Sequence, residues 1–207
     1  MKFYSQIQQD EIFLKQFDSP PTKGFYLDVG ANNGETFSNT KTLEELGWSG
    51  ICIEPNPHDY KQLVLSRPKA KCVKVAVYNK NGHITFSTPA NGLVGGIKDT
   101  LTSQKSLWES QGQIYKDFDV ECKTLFTILE ENEAPTVIDY VSLDTEGSEA
   151  DILECFYREN NGKYIIQYLD VEHNYDSLNI RRLHTVCSKM GMNRMSQNAF
   201  DFTYSRK

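Results

Sequence analysis

The order of elements in this sequence predicts an α/β fold: a mostly parallel sheet covered by helices on both faces. Three observations carry that expectation. Short apolar runs rich in β-branched and aromatic residues alternate with amphipathic stretches of helical period. The first of these runs passes directly into a glycine-bearing turn, the layout of an α/β ligand site. Finally, 207 residues, 39% of them apolar and including 11 Tyr and 11 Phe, can bury one sizeable core, so a single domain over residues 1–207 is expected.

Seven strand candidates follow from these runs: residues 24–29, 50–54, 72–77, 137–144 and 164–172 as the main set, with 83–87 and 199–204 as later or accessory strands. Helix candidates lie between them at 36–46, stopped by Gly47; 57–65, with Pro57 suited to the first turn; 148–157; and 177–190, stopped by Gly191. Residues 5–17 read as a helix or cap laid across the first strand, within an amino-terminal cap of residues 1–20. Residues 88–118 break the rhythm, with Gly92, Gly95, Gly96 and Gly112 among polar residues. A stretch of that length in a compact domain reads as a substrate lid, or else as an insertion without ligand contact. Its apolar anchors are Leu93, Val94, Ile97, Leu101, Leu107 and Trp108.

Charge and composition narrow the function. A net charge of −6 with scattered acids lacks the basic stripe of nucleic-acid binders, so no nucleic-acid partner is expected. Cys52, Cys72, Cys122, Cys155 and Cys187 are odd in number and lack CxxC spacing, which argues against a disulfide framework or a zinc site and suits a reducing, cytoplasmic setting. No apolar run has the length of a signal peptide core or a membrane span.

The chemistry-bearing residues gather at strand ends. In Phe25-Tyr26-Leu27-Asp28-Val29-Gly30-Ala31-Asn32-Asn33-Gly34-Glu35-Thr36, Gly30 lets the backbone turn and approach a ligand, and Gly34 is expected to open the next helix. The spacing G-x-x-x-G lacks the third glycine of the dinucleotide fingerprint, which counts against NAD. Asp28 offers a carboxylate to a cationic amino group. Glu54, 24 positions beyond Gly30 and ending the second strand, is placed to accept ribose hydroxyls.

These stretches also carry a resemblance. Ser5-Gln6 with Gln9-Asp10, Leu27 to Asn32 through Glu35-Thr36, Gly47-Trp48-Ser49-Gly50 through Glu54-Pro55-Asn56-Pro57, and Ser142 to Glu149 followed by Val171-Glu172-His173-Asn174 resemble the FkbM-type methyltransferases, a branch of the Rossmann-like S-adenosylmethionine-dependent enzymes. The departure is Asn33, where many members carry Asp. The resemblance implies a Rossmann-like methyltransferase fold, S-adenosyl-L-methionine as cofactor, and O-methylation of a hydroxyl on a sugar or glycan or on a non-sugar secondary metabolite. It implies cofactor contacts from Asp28, Gly30, Ala31, Asn32, Gly34 and Thr36 in the first turn. Glu54, Pro55 and Asn56, together with Ala76 and Asp144, complete the implied set. Membership as one domain of a longer glycosyl-modifying protein stays open.

Asp144 lies at the carboxyl end of residues 137–144, with Glu146 in the same turn and Ser148 placed to cap the helix beyond it; Glu149 reads as a first-turn acid. The adjacent strand delivers Asp170, Glu172, His173 and Asn174 to the same edge. A hydroxyl is a poor nucleophile, so methyl transfer needs a base or a cation. The catalytic candidates are Asp144, His173, Glu172 and Glu146. Two mechanisms fit: His173 or Asp144 removes the proton directly, or Asp144, Glu172 and His173 hold a divalent metal such as Mg²⁺ or Mn²⁺. Direct base catalysis is the preferred of the two, and His58, His83 and His184 read as structural. The rivals are an NAD-dependent oxidoreductase and a non-catalytic ligand-binding module. An amino-methyltransferase of nucleic acids would carry Asn/Asp-Pro-Pro-aromatic where this chain has Asp144-Thr145-Glu146-Gly147.

Overall fold

The structure is a computed structural model and describes residues 1–89, 95–101, 112 and 114–206. The main sheet contains β1 (Phe25–Val29), β2 (Ser49–Ile53), β3 (Lys71–Val73), β9 (Tyr140–Leu143), β11 (Tyr168–Glu172), β12 (Asn193–Asn198) and β13 (Asp201–Ser205). Its order is β12-β13-β11-β9-β1-β2-β3. The five strands from β11 to β3 are parallel, and β13 and β12 close the edge antiparallel. The seven-stranded, mostly parallel sheet expected from the sequence is present.

Alternation along the strands builds two cores. Leu27, Val29, Ile51, Ile53, Val141, Leu143, Leu169 and Val171 face one side, where they meet α4 (Leu125–Glu131), α5 (Glu149–Asn160) and α6 (Ser177–Lys189). Tyr26, Cys52, Tyr140 and Tyr168 face the other and pack with Phe13 and Leu14 of α1 (Gln9–Leu14), Leu43 of α2 (Lys41–Glu45) and Leu63 of α3 (Pro57–Ser66). The rings of Tyr140 and Tyr168 stack at 5.6 Å, and Phe13 lies against both. This second face positions the site. Two residues beyond the tyrosines the same pleat presents Asp28, Ser142 and Asp170, which pair across the strands, and two residues further it presents Gly30, Asp144 and Glu172.

Several boundaries differ from the sequence reading. The helix expected at 36–46 begins only at Lys41. Asn33 Oδ1 accepts the N–H groups of Glu35 and Thr36, Ser38 Oγ accepts those of Thr40 and Lys41, and Phe37 has φ +57°, so side chains satisfy the backbone in a non-helical path. The run 137–144 is divided at Asp139, whose carboxylate accepts the Phe25 N–H, leaving β8 (Val137–Ile138) apart from β9. The run 164–172 likewise splits into β10 (Ile165–Ile166) and β11, with β8 and β10 pairing separately. Residues 72–77 divide between β3 and β4 (Ala76–Val77), which belongs to a second sheet.

That second, four-stranded sheet has the order β4-β7-β5-β6, adding β5 (Gly82–Pro89), β6 (Gly96–Ile97) and β7 (Tyr115–Lys123). It corrects the lid reading at both ends of 88–118, because β5 and β7 pair antiparallel from Gly82↔Cys122 to Pro89↔Tyr115. The stretch between them that would close over a ligand, with Gly92, Leu93, Val94, Leu107 and Trp108, lies outside the described residues. No described helix is long and apolar enough to cross a membrane, and all five cysteines are free.

Candidate functional site

A cavity of about 440 Å³ opens at the carboxyl ends of β1, β9 and β11. Its walls include Asp28, Gly30, Ala31, Asn32 and Thr36 from the first turn, Glu54 and Asn56 after β2, and Asp144, Glu146 and Glu172 after β9 and β11. A smaller apolar annex of about 40 Å³ adjoins it, lined by Pro55, Val75, Ala76 and Ile97 and sharing Gly30, Glu54, Phe86 and Asp144 with the larger space. The structure thus gathers the expected residues around one opening, with two exceptions.

Gly34 is the first. It does not line the cavity: an added Cβ would fall 2.6 Å from side-chain atoms of Leu63, Ser66 and Arg67, so this glycine lets the turn pack on α3. His173 is the second. Its ring is fully buried against Phe202, 4.2 Å between centroids, and its Nδ1 accepts the Tyr175 N–H. The ring therefore lies outside the cavity lining, which removes it as a proton acceptor or metal ligand for a molecule bound there. Burial also pulls its pKa down. The reason is parity: His173 follows Glu172 by one residue and leaves the pleat that Glu172 occupies.

Gly30 marks a close approach. With φ +86° it passes so near Asp144 that a Cβ would sit 1.8 Å from the Asp144 carbonyl oxygen. Only glycine lets the two strand-end loops meet and leave open space above them. Glu54 is buried, with Oε2 accepting the Asn32 N–H at 2.9 Å and Oε1 the Asn56 N–H at 2.8 Å. Burial pushes its carboxyl up to about 8 against the pull of those donors. Each of its oxygens retains a lone pair for a ligand hydroxyl. Asn56 also caps α3, accepting the His58 N–H at 3.0 Å.

Asp28 belongs to a buried network that sequence reasoning missed. Its Oδ2 accepts the Thr40 hydroxyl at 2.5 Å and lies 3.5 Å from Arg67, which is fully buried and also contacts Glu44 at 2.7 Å. Burial raises the Asp28 carboxyl, and the guanidinium opposes that rise. Arg67 sits on no motif; its only signal is a cation following the apolar face of a helix.

The acidic floor holds two carboxyls in contact. Asp144 and Glu172 share a hydrogen bond, and burial followed by their mutual repulsion raises Glu172 well above the carboxylate range. Asp144 is open to the cavity, while the protein packed around its other sides pushes it up to about 7. Asp144, Glu149 and Glu172 each bring an oxygen within 4.8 Å of the others, so the carboxylates converge without His173. Glu149 is already committed: it accepts Thr145 N–H, Thr145 Oγ1–H and Gly147 N–H, as well as the Asn179 amide. It, rather than Ser148, fixes the turn before α5, since Ser148 makes no side-chain cap. This donor set does not fit the Asp144–Glu172–His173 metal site expected from the sequence.

The cavity is also lined by Gln6, Gln9, Phe37, Phe200 and Asp201, to which the sequence reading gave no role in the site, and by Asn174, which it placed at this edge. Gln9 donates to Asp201 at 2.6 Å, tying the amino-terminal cap to β13. Of the nine non-glycine residues with positive φ among those described, Asn32, Phe37, Glu146 and Asn174 line this cavity. Backbone strain so concentrated is common at ligand sites.

The FkbM methyltransferase domain family matches residues 28–191. Among solved structures, the chain is similar to the METTL16 methyltransferase domain, with a TM-score of 0.51, 12% identity, and coverage of 97% of this chain and 66% of that one. It is also similar to Aeropyrum pernix fibrillarin, solved with natively bound S-adenosyl-L-methionine: TM-score 0.50, 11% identity, coverage 97% and 74%. No curated protein matches significantly. At these identities the structural likenesses establish the fold, a Rossmann-like one with a mixed seven-stranded sheet.

Proposed function

Because this chain belongs to the FkbM methyltransferase domain family, we propose that it transfers the methyl group of S-adenosylmethionine to a hydroxyl oxygen of a sugar or glycan. The observation that carries this reading is the Asp144–Glu172 carboxyl pair on the floor of a cavity whose other wall is the Gly30 turn and Glu54. The residues fit the cofactor: Asp28 lies beside the Gly30 turn for its tail, Glu54 offers acceptors to the ribose hydroxyls, and Pro55, Ala76 and Ile97 offer an apolar face to its base, most of which occupies the larger cavity. When bound, S-adenosylmethionine supplies an electrophilic methyl carbon on a sulfonium leaving group.

Asp144 supplies the base. Held near neutrality and hydrogen-bonded to a protonated Glu172, it accepts the proton of the acceptor hydroxyl as the oxygen attacks. Positioning supplies the rest, since in-line attack needs the hydroxyl held over the floor. Gln6, Gln9 and Asn174, with Phe37 and Phe200, give the cavity the mixed polar and aromatic lining that suits a sugar. A polyanion such as RNA is disfavoured by the net charge of −6 and by acids at every wall of the cavity.

Calorimetry with S-adenosylhomocysteine and NADH tests the cofactor, and mass-spectrometric detection of methyl transfer to a panel of glycosides and non-sugar alcohols tests the acceptor. Binding of NADH without S-adenosylhomocysteine would overturn the cofactor reading. Methylation confined to the non-sugar alcohols would move the acceptor to a secondary metabolite.

A further inference from the structure

The cavity runs along a row of strand ends. Glu54 and Gly30, after β2 and β1, stand at one end of the row, Asp144 and Glu172 in its middle, and Asp201, where β13 begins, at the other. Neighbouring strands lie about 4.8 Å apart, so β13 stands about 10 Å beyond β9, on the side of Asp144 away from the residues assigned to the cofactor. The family match covers residues 28–191, which include those residues and the acidic floor, whereas Gln9 and Asp201 lie outside it.

The Asp201 carboxylate is fixed through one oxygen and unspent at the other. Asp201 pairs with Glu172 in the β11–β13 register, and one step back on the same face Thr203 donates to Asp170 at 2.6 Å. The Phe200 carbonyl accepts the His173 N–H at 2.8 Å, which anchors the start of β13. Asp201 Oδ2 accepts the Gln9 amide at 2.6 Å, and that amide is oriented in turn, its Oε1 accepting the Ile7 N–H at 3.2 Å. Among the described residues nothing donates to Asp201 Oδ1. The side chain lines the cavity yet is only 7% exposed, and burial pushes its carboxyl up to about 6, so at neutral pH it is an ionised acceptor with little access to water. Such an oxygen calls for a donor from whatever fills the cavity.

Resting on the sugar reading above, we propose that Asp201, held by Gln9, binds a second hydroxyl of the sugar through Oδ1, so that the enzyme selects substrates carrying a hydroxyl besides the one that is methylated. The hydroxyl at Asp144 gives up its proton as its oxygen takes the methyl group; the hydroxyl at Asp201 keeps its proton and donates it in a hydrogen bond. A hydrogen atom or an ether in that place leaves a buried carboxylate unpaired, and a site so built rejects the substrate lacking the donor.

The test measures kcat/KM for methyl transfer to methyl glucoside, galactoside and mannoside and to each monodeoxy analogue, at saturating S-adenosylmethionine. In the wild type, loss of one particular hydroxyl other than the methylated one should lower kcat/KM about tenfold or more. Asp201→Asn keeps an oxygen for Gln9 but turns a donor toward the sugar, and it should bring the parent glycoside and that analogue within about twofold of each other. Calorimetry should find its S-adenosylhomocysteine affinity within about twofold of the wild type, because Asp201 stands away from that end of the cavity. Should thermal unfolding show the amide variant misfolded, Asp201→Ser makes the same comparison. A wild type indifferent to every second hydroxyl, or an Asp201 variant that keeps the wild-type ratio, would overturn the inference while sparing the sugar reading. Methylation of none of these glycosides by a chain that binds S-adenosylhomocysteine would remove both.

Discussion

Replacing Gly30 by Ala probes the contact on which the cavity depends. An ideal Cβ at this position falls 1.8 Å from the Asp144 carbonyl oxygen, whereas real Cβ contacts stay beyond 3.0 Å, so the two loops must part by at least 3.0 − 1.8 = 1.2 Å. Parting strains the bonds that hold them, from Gly30 N and Ala31 N to Ile53 O and from Asp144 N to Val29 O, each 3.0 Å. The φ of +86° adds a conformational penalty of about 1 kcal/mol for any L side chain. Gly162→Ala is the control, because it has φ +77° and nothing within 4 Å of the added carbon. Both variants pay the backbone penalty; only Gly30→Ala pays for overpacking, about 1–3 kcal/mol more. Urea unfolding should show that difference. Calorimetry should show S-adenosylhomocysteine affinity lowered in Gly30→Ala, where the loops that line the cavity part, and unchanged in Gly162→Ala. Should the two variants match in stability and in affinity, the close approach of the strand-end loops is not what shapes the site.

Three further outcomes follow from the geometry. Asp144→Asn should lower methyl transfer about 10²- to 10⁴-fold, far more than it changes cofactor affinity. In the wild type, activity should rise with pH to a plateau, half-maximal near 7, because the base form of Asp144 is populated only above that value; a flat profile from pH 5.5 to 8.5 would refute the assignment. His173→Asn keeps an acceptor for the Tyr175 N–H and should leave turnover within about threefold, whereas a loss like that of Asp144→Asn would return His173 to the chemistry. Arg67→Met strands Glu44 and Asp28 without their cation and should cost about 3–5 kcal/mol in urea unfolding. That deficit should grow as pH rises, since burial raises the folded Asp28 carboxyl above its unfolded value and, once the guanidinium that opposes this is gone, the folded chain takes up the charge at greater cost than the unfolded one; equal deficits at pH 5 and pH 8 would count against the pairing.

The sequence by itself determined the parallel sheet and the acidic floor. Tyr26-Leu27-Asp28-Val29-Gly30, Tyr140-Val141-Ser142-Leu143-Asp144 and Tyr168-Leu169-Asp170-Val171-Glu172 repeat one pattern, an aromatic, then a polar residue, then the floor, at alternate positions with aliphatics between. Side chains alternate across a strand, so this local period puts all three strand ends on one face without reference to anything distant. The same rule, applied strictly, excludes His173, one residue out of phase. The late start of α2 was written locally as well, in the competing side chains of Asn33 and Ser38. Tertiary structure alone decided the rest. Arg67 reaches Asp28 from 39 positions away, Gln9 meets Asp201 across 192, and Asn39 meets Ser142 across 103. Residues 115–118, expected in the lid, and 119–123, to which the sequence reading gave no element, form the strand that pairs with β5. Such contacts obey no short period: they exist because the folded sheet buries charges and amides that must then find partners, and which partners stand within reach is settled only when the chain has closed.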